Sequence, residues 1–287
     1  MRGPARAAAL TAPAARAYRG DGTGRPAGLP PAPLPLVRDG RLRKQWRWVG
    51  VLTGDLAVVA SRAQVGPAVQ ESWAVLERAS GRLHERVRLR PGRVHLGHDR
   101  VVVADGRTRV DVLLHPRGTP VEVVTPEGRA WTWTRKRAGL PATGTVVLDG
   151  RRLDVDGLAL VDDSAGHHAR RTSWRWSAGC GLDTAGRVVA WNATAGLHDG
   201  TPSESTIWVD GVPREVPVPA FADDLSAVTW PDARLHCAVE AVRRREERLL
   251  VVRSSYTAPF VDVTGTLPGG VVLARASGVQ ERHDALW

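Results

Sequence analysis

Six Asp-Gly dipeptides, at 39–40, 105–106, 149–150, 156–157, 199–200 and 210–211, cut this chain into short pieces. Asp-Gly suits the positive φ angles of tight hairpin turns. Pro91-Gly92 and Pro268-Gly269-Gly270 add further breaks. Between the breaks lie short apolar runs rich in Val, such as Leu56–Ala60, Val101–Ala104, Val110–Leu114, Val188–Trp191 and Val271–Leu273. Val and Trp favour the pleated, half-buried surface of a sheet. Strands spaced about 8–12 residues apart with turns between them predict an all-β barrel or sandwich. Long helical periodicity is absent. The best helix candidate, Val239 to Leu250, is interrupted by the charge run Arg243–Arg248, which reads as a hairpin loop.

The aromatic surface is unusual. There are eleven Trp against two Phe and two Tyr, and a buried indole N–H needs a partner. Trp46-Arg47-Trp48 recurs as Trp174-Arg175-Trp176, and Trp131-Thr132-Trp133 has the same spacing. Residues two apart on a strand share a face, so each motif sets two indoles side by side. The echo suggests two β units, residues 36–145 and 146–287. Residues 1–35 are dominated by Ala, Pro and Gly, which predicts a disordered tail.

The formal charge is +10, but residues 1–48 carry +8 of it and the remaining body is near neutral. A basic leader on a balanced body is a weak case for a nucleic-acid surface, so no nucleic-acid partner is expected. Two cysteines, Cys180 and Cys237, make neither a disulfide framework nor a zinc site and predict free thiols in a cytoplasmic setting. No run approaches the roughly 18 apolar residues of a membrane span. The N-terminal apolar run is too short for a signal-peptide core.

Polar residues concentrate inside strand-like sequence in the second half. If 170–176 is one strand, Arg170, Thr172, Trp174 and Trp176 share a face, and Arg171, Ser173 and Arg175 share the other. Arg beside Trp on an inward face would make a cation–π wall for a ligand; equally, it would close a barrel end. Trp191 and Asn192 alternate in the next strand, and a buried Asn must be hydrogen-bonded. Asp163, Glu204 and Glu281 are candidate general acids or bases if desolvation raises their pKa, and His283 is a candidate proton shuttle. There is no Gly-x-Ser-x-Gly elbow and no phosphate-binding loop. His95-x-x-His98 and His167-His168 lack a Cys or Glu at metal spacing. No metal or cofactor is expected, so any catalysis rests on side chains and pocket shape.

The ordered motifs resemble the domain of unknown function 2804 family of bacteria and fungi. They are the string from Ser164 through His167-His168 and Trp174-Arg175-Trp176 to Gly179, Trp191-Asn192 with Gly196, His198-Asp199-Gly200, Ser203-Glu204 to Gly211, Arg253-Ser254-x-Tyr256-x-x-Pro259-Phe260, and Gly265 through Glu281-x-His283-Asp284-Ala285-x-Trp287. Leu42-Arg43-Lys44-x-Trp46 resembles the family's basic opening. His168 stands where the family usually has Tyr, and Gln280 where it often has Met. The resemblance implies two packed lipocalin-like antiparallel β-barrels, a fold shared with carotenoid hydratases and with cofactor-free cyclases acting on polyketides or terpenoids. It carries no settled activity. On this basis Asp163, Glu204, Glu281 and His283 are the candidate catalytic residues. His168, Arg171, Trp174, Trp176, Asn192, Arg253 and Tyr256 are the candidate ligand contacts, with the site placed in the second unit. The expected partner is an apolar small molecule, lipid, terpenoid or polyketide-like. Hydration, isomerisation or cyclisation, a non-catalytic carrier and a structural interaction module all stay open.

Overall fold

The computed structural model describes residues 16–287, apart from 31, 128–129, 198, 201, 250 and 251. Every regular element among them is a β-strand, as the turn spacing predicts. Two large antiparallel sheets account for nearly all of these strands. In the first, the order is Arg82–Arg88, Ala68–Glu77, Leu56–Val65, Lys44–Leu52, Arg151–Gly166, Ala130–Leu148, Thr108–Leu114, Arg100–Asp105 and Val94–Leu96. Val121–Glu127 also pairs with Ala130–Leu148 and carries Tyr18–Gly20 on its free side. In the second, the order is Val212–Glu215, Thr206–Val209, Val188–Ala195, Arg171–Asp183, Val271–Leu286, Val252–Leu267, Ala233–Leu249, Ala227–Trp230 and Ala220–Phe221.

Each sheet curls on itself. In the first, the Glu71 carboxylate accepts the backbone N–H groups of Gly92, Arg93 and Val94, drawing one edge towards the other. In the second, Trp230 Nε1 donates to Pro217 O at 2.9 Å and ties strands near opposite edges. No helix among the described residues is long and apolar enough to cross a membrane.

Side-chain alternation sorts the core into three layers. On Lys44–Leu52, Val49 and Val51 turn into the first sheet's own core with Val58, Val75, Val103 and Val112. Trp48 and Leu52 turn the other way, towards Trp176, Ala178, Cys180 and Phe260 of the second sheet. Trp191, Ile207, Leu235 and Val263 fill the second sheet's own core. Central strands therefore bury both faces, which is why they read as apolar runs and not as strict alternation.

Asp39-Gly40, Asp149-Gly150 and Asp210-Gly211 have positive φ at both residues, as expected of their hairpins. Asp156-Gly157 does not turn. It lies inside Arg151–Gly166, paired with Thr143 and Ala142. Gly is required there by close approach, since a Cβ at 157 would fall 2.3 Å from Leu52 O.

Three further expectations change. Residues 146–166 belong to the first sheet, because Arg151–Gly166 pairs on both sides within it; the sheets meet at 167–170. The charge run Arg243–Arg248 is strand, because Ala233–Leu249 pairs with Val252–Leu267 out to Leu249. Residues 16–30 and 32–35 are not a free tail. Tyr18–Gly20 pairs with Val124–Glu122, and Leu29 and Leu34 bury against the Trp131–Trp133 pair and Ala165. Few apolar residues suffice when each one lands on an indole. Residues 1–15 of the expected tail lie outside the described residues.

Candidate functional site

The face of each sheet that meets the other forms a seam, and strand register arranges its residues in rows. On the first sheet Lys136, Asp162, Trp48, Ser61 and Ser72 are successive cross-strand partners, and Thr134, Ser164, Trp46, Ala63 and Gln70 form the next row. On the second sheet Thr194, Trp176 and Glu281 form one row, and Trp174, His283, Tyr256 and Arg245 the next. The two copies of the Trp-Arg-Trp motif face each other across the seam. Trp46 stacks on Trp174 with centroids 6.3 Å apart and planes 5° from parallel; Trp48 meets Trp176 edge-on at 5.0 Å. Small side chains on the first sheet, Ser61, Ala63, Ala68 and Ser72, leave room beside these indoles. The result is a cavity of about 460 Å³ walled by both sheets. That volume lies in the range of small-molecule sites. The expectation placed the site in the second unit, whereas the walls of this cavity come from both sheets.

Two polar clusters line the cavity. In one, Trp174 Nε1 donates to Glu281 Oε1 at 2.8 Å, and His283 Nδ1 lies 3.8 Å from the same oxygen. The Ser254 hydroxyl is 2.7 Å from His283 Nε2. Burial pushes the Glu281 carboxyl up to about 7; the hydrogen bond from Trp174 opposes the rise and the charge of Asp162 adds to it. Burial holds His283 down at about 4, so its ring is neutral near pH 7. Burial, then the charge of Glu281, raises Tyr256. The Arg243 guanidinium lies 5.8 Å over the Tyr256 ring and pairs with Glu85 of the first sheet at 3.0 Å.

In the other cluster Lys136 Nζ lies 2.7 Å from Asp162 and 3.5 Å from Glu204, whose Oε1 also accepts from Thr194 Oγ1 at 2.5 Å. Burial opposes the Lys136 charge, yet the two facing carboxyl groups raise its pKa. Burial, with the charge of Glu204 adding, raises Asp162 against the pull of Lys136. One buried cation thus faces two carboxyl groups, an arrangement that favours retention of one proton between them.

Of the residues expected at the site, Glu204, Glu281, His283, Trp174, Trp176 and Tyr256 line this cavity. The others do not. Asp163 is on the opposite face of its strand from Asp162, and it accepts from Arg47 at 3.0 Å and Arg135 at 3.1 Å. Arg171 is exposed, on the face of its strand opposite Trp174. Arg253 is exposed as well, paired with Leu286 and alternating with the inward Ser254. Asn192 is buried behind Trp176, accepting from its indole at 2.7 Å and donating to Glu204 O at 3.2 Å. His168 packs on Trp46 with ring centroids 5.0 Å apart, outside the cavity wall. His198 lies outside the described residues. The sequence reading missed Trp46, Trp48, Lys136, Asp162, Arg243 and Ser254. The Trp echo carried a signal for the first two, and Lys136 is one of two lysines in the chain.

The profile of the family described as Domain of unknown function (DUF2804) matches residues 93–217, in agreement with the resemblance drawn from the motifs. No curated protein matches the chain. Among solved structures, kievitone hydratase from Nectria haematococca is similar with a TM-score of 0.52 at 10% identity, covering 85% of this chain and 88% of that one. CghA with Sch210972 is similar with a TM-score of 0.40 at 12% identity, covering 85% and 88%. An AttH-like protein from Nitrosomonas europaea has a TM-score of 0.42 at 12% identity, covering 89% and 98%. The hydratase likeness establishes a shared fold.

Proposed function

We propose that the cavity between the sheets binds an apolar small molecule and that Glu281 exchanges a proton with it without a cofactor. The observation that carries this reading is the Glu281 carboxyl group, buried in the cavity wall against the Trp174 indole; burial pushes it up to about 7. Both its acid and its base form are available near neutral pH, the condition for general acid–base work. In a hydration, Glu281 gives its proton to one alkene carbon as the π bond breaks. The indole faces of Trp174 and Trp176 stabilise the cation formed on the other carbon. Water adds there and returns a proton to the carboxylate. Isomerisation or cyclisation begins with the same transfer and ends with loss of a proton from a different carbon. The name kievitone hydratase assigns hydration to a protein of this fold, which supports placing hydration first. Both cysteines are free and buried, their thiols pushed up to about 12 by burial, which fits a cytoplasmic setting.

The test begins with native mass spectrometry of the purified protein to identify a co-purified ligand. That ligand is then incubated with protein in deuterated water. Wild type is expected to place deuterium at a carbon, and Glu281→Gln to do so at least about 100-fold more slowly. Equal rates in the two proteins would remove Glu281 from the chemistry. Binding without any exchange would make the protein a carrier.

A further inference from the structure

Ser254 has no part in the proton transfer assigned to Glu281, yet it sits against His283, the one imidazole of the cavity wall among the described residues. Its hydroxyl lies 2.7 Å from His283 Nε2, and His283 Nδ1, on the far side of the ring, lies 3.8 Å from Glu281 Oε1. The topology brings the three together. Glu281 and His283 are two apart on one face of Val271–Leu286, and Ser254 is two before Tyr256, the cross-strand partner of His283. The ring is held in place by Trp174 at 4.3 Å, Tyr256 at 5.4 Å and Trp287 at 6.0 Å between centroids. Hydroxyl, imidazole and carboxylate in this order, with Nε2 on the hydroxyl and Nδ1 facing the carboxylate, are the parts of an activated nucleophile.

We propose that Ser254, His283 and Glu281 form a nucleophilic relay that hydrolyses esters with an apolar acyl group, an activity separate from proton transfer by Glu281. The Ser254 oxygen attacks the acyl carbon while His283 Nε2 takes its proton. The bond to the leaving oxygen breaks, and that oxygen takes the proton from His283. Water then adds to the acyl–serine carbon, its proton passing through His283 back to the serine oxygen, and the carboxylic acid leaves. The neutral state of His283 leaves a ring nitrogen free to accept. A proton on Nδ1 turned to Glu281 makes Nε2 that acceptor. At 3.8 Å this contact is longer than a hydrogen bond, and the relay requires it to close when substrate binds. Gln70 and Arg245 line the same cavity and both bond Glu247, the cross-strand partner of Ser254. Either serves the oxyanion by turning from Glu247, which makes activated esters the first substrates to try.

The relay needs Glu281 ionised, whereas acid-first hydration needs it protonated. Asp162, Arg243 and Tyr256 face Glu281, and Asp284 acts on His283. With these in place, ester hydrolysis is expected to rise as pH increases through about 7.

The probes are an alkyl fluorophosphonate, p-nitrophenyl butyrate and anilinonaphthalene sulfonate, all used on the full chain. The phosphonate is expected to leave one adduct, mapped by peptide mass spectrometry to Ser254. Hydrolysis of the butyrate is expected to fall at least about 100-fold in Ser254→Ala and in His283→Asn. A wild-type protein left unlabelled at Ser254, or labelled only at another serine, overturns the inference, and this result needs no variant to fold. If the naphthalene probe binds the cavity while Ser254 stays unlabelled, the relay falls and the proton-transfer reading stands. If the probe does not bind either, both fall.

Discussion

The seam between the sheets has a closed end and an open end, built on the same strands with the same side-chain parity. At the closed end Leu52, Cys180, Ala190, Phe260 and Val279 interlock, and Trp208 Nε1 donates across to Thr119 O at 2.9 Å. At the open end the first sheet presents Ser61, Ala63 and Ser72, too short to reach His283 and Tyr256 opposite. The gap there is bridged at its sides by charged pairs, Lys136 with Glu204 and Arg243 with Glu85. The backbone is the same kind of surface at both ends. What differs is side-chain volume and the polar pairs that hold the sheets apart. A cavity in such a fold therefore costs the molecule apolar packing, and the closed end has to supply the docking energy for both.

That division predicts where truncation is most damaging. Phe260 is 1% exposed at the closed end. Phe260→Ala should lower stability by about 3–5 kcal/mol, the transfer and cavity terms together, read as a shift of the denaturation midpoint. A loss below about 1 kcal/mol would mean that the closed end does not hold the sheets together.

The open end predicts a smaller effect that depends on pH. Glu281 has a folded pKa of about 7, raised from 4.5, so its contribution to stability is complete below 4.5 and is lost as pH rises to 7. His283 is lowered from 6.5 to about 4, so its contribution is complete above 6.5 and is lost as pH falls to 4. Between these limits the two run in opposite directions. Glu281→Gln removes the first and leaves the second. Wild-type stability minus that of the variant should fall by about 3 kcal/mol between pH 4.5 and 7, since each pKa unit is worth about 1.4 kcal/mol. Parallel pH profiles for the two proteins would show that Glu281 is not buried in this way.

The fold was legible because turns and apolar runs are local signals. The aspartate and glycine of a hairpin act through their own φ angles, and a Val run needs only its neighbours, so Asp149-Gly150 and Asp210-Gly211 announce themselves. Asp156-Gly157 misled because the reason for its glycine is the carbonyl of Leu52, more than a hundred residues away in sequence. Half of the site was legible for a similar reason. Trp174 and Trp176 sit on a strand whose inward parity follows from the indole spacing, and Glu281 and His283, two apart, share a face of the strand paired with it. Asp163 was named in place of Asp162 because the two differ only in parity, and parity is set by pairing with Lys44–Leu52 and Ala130–Leu148. Arg243 was missed because its partner Glu85 lies on the opposite sheet, and Lys136 because strand pairing brings it to Asp162 and the loop before Thr206–Val209 brings Glu204 to it.

The smallest expected effect isolates the open end. Ser61→Phe adds a ring to the short side of the cavity. The change breaks the contact of 2.7 Å between the Ser61 and Ser72 hydroxyl oxygens, worth about 1 kcal/mol. Burial of the new ring against the Trp faces offsets that loss, because a cavity of about 460 Å³ accepts a phenyl group without overpacking. Stability should therefore stay within about 1 kcal/mol of wild type. Anilinonaphthalene sulfonate, titrated by fluorescence, should bind at least about 10-fold more weakly, equivalent to about 1.4 kcal/mol. The same ring inserted at the closed end would have no room, so stability would fall there instead. A Ser61→Phe protein that binds the probe as tightly as wild type would place the ligand somewhere other than between these two sheets.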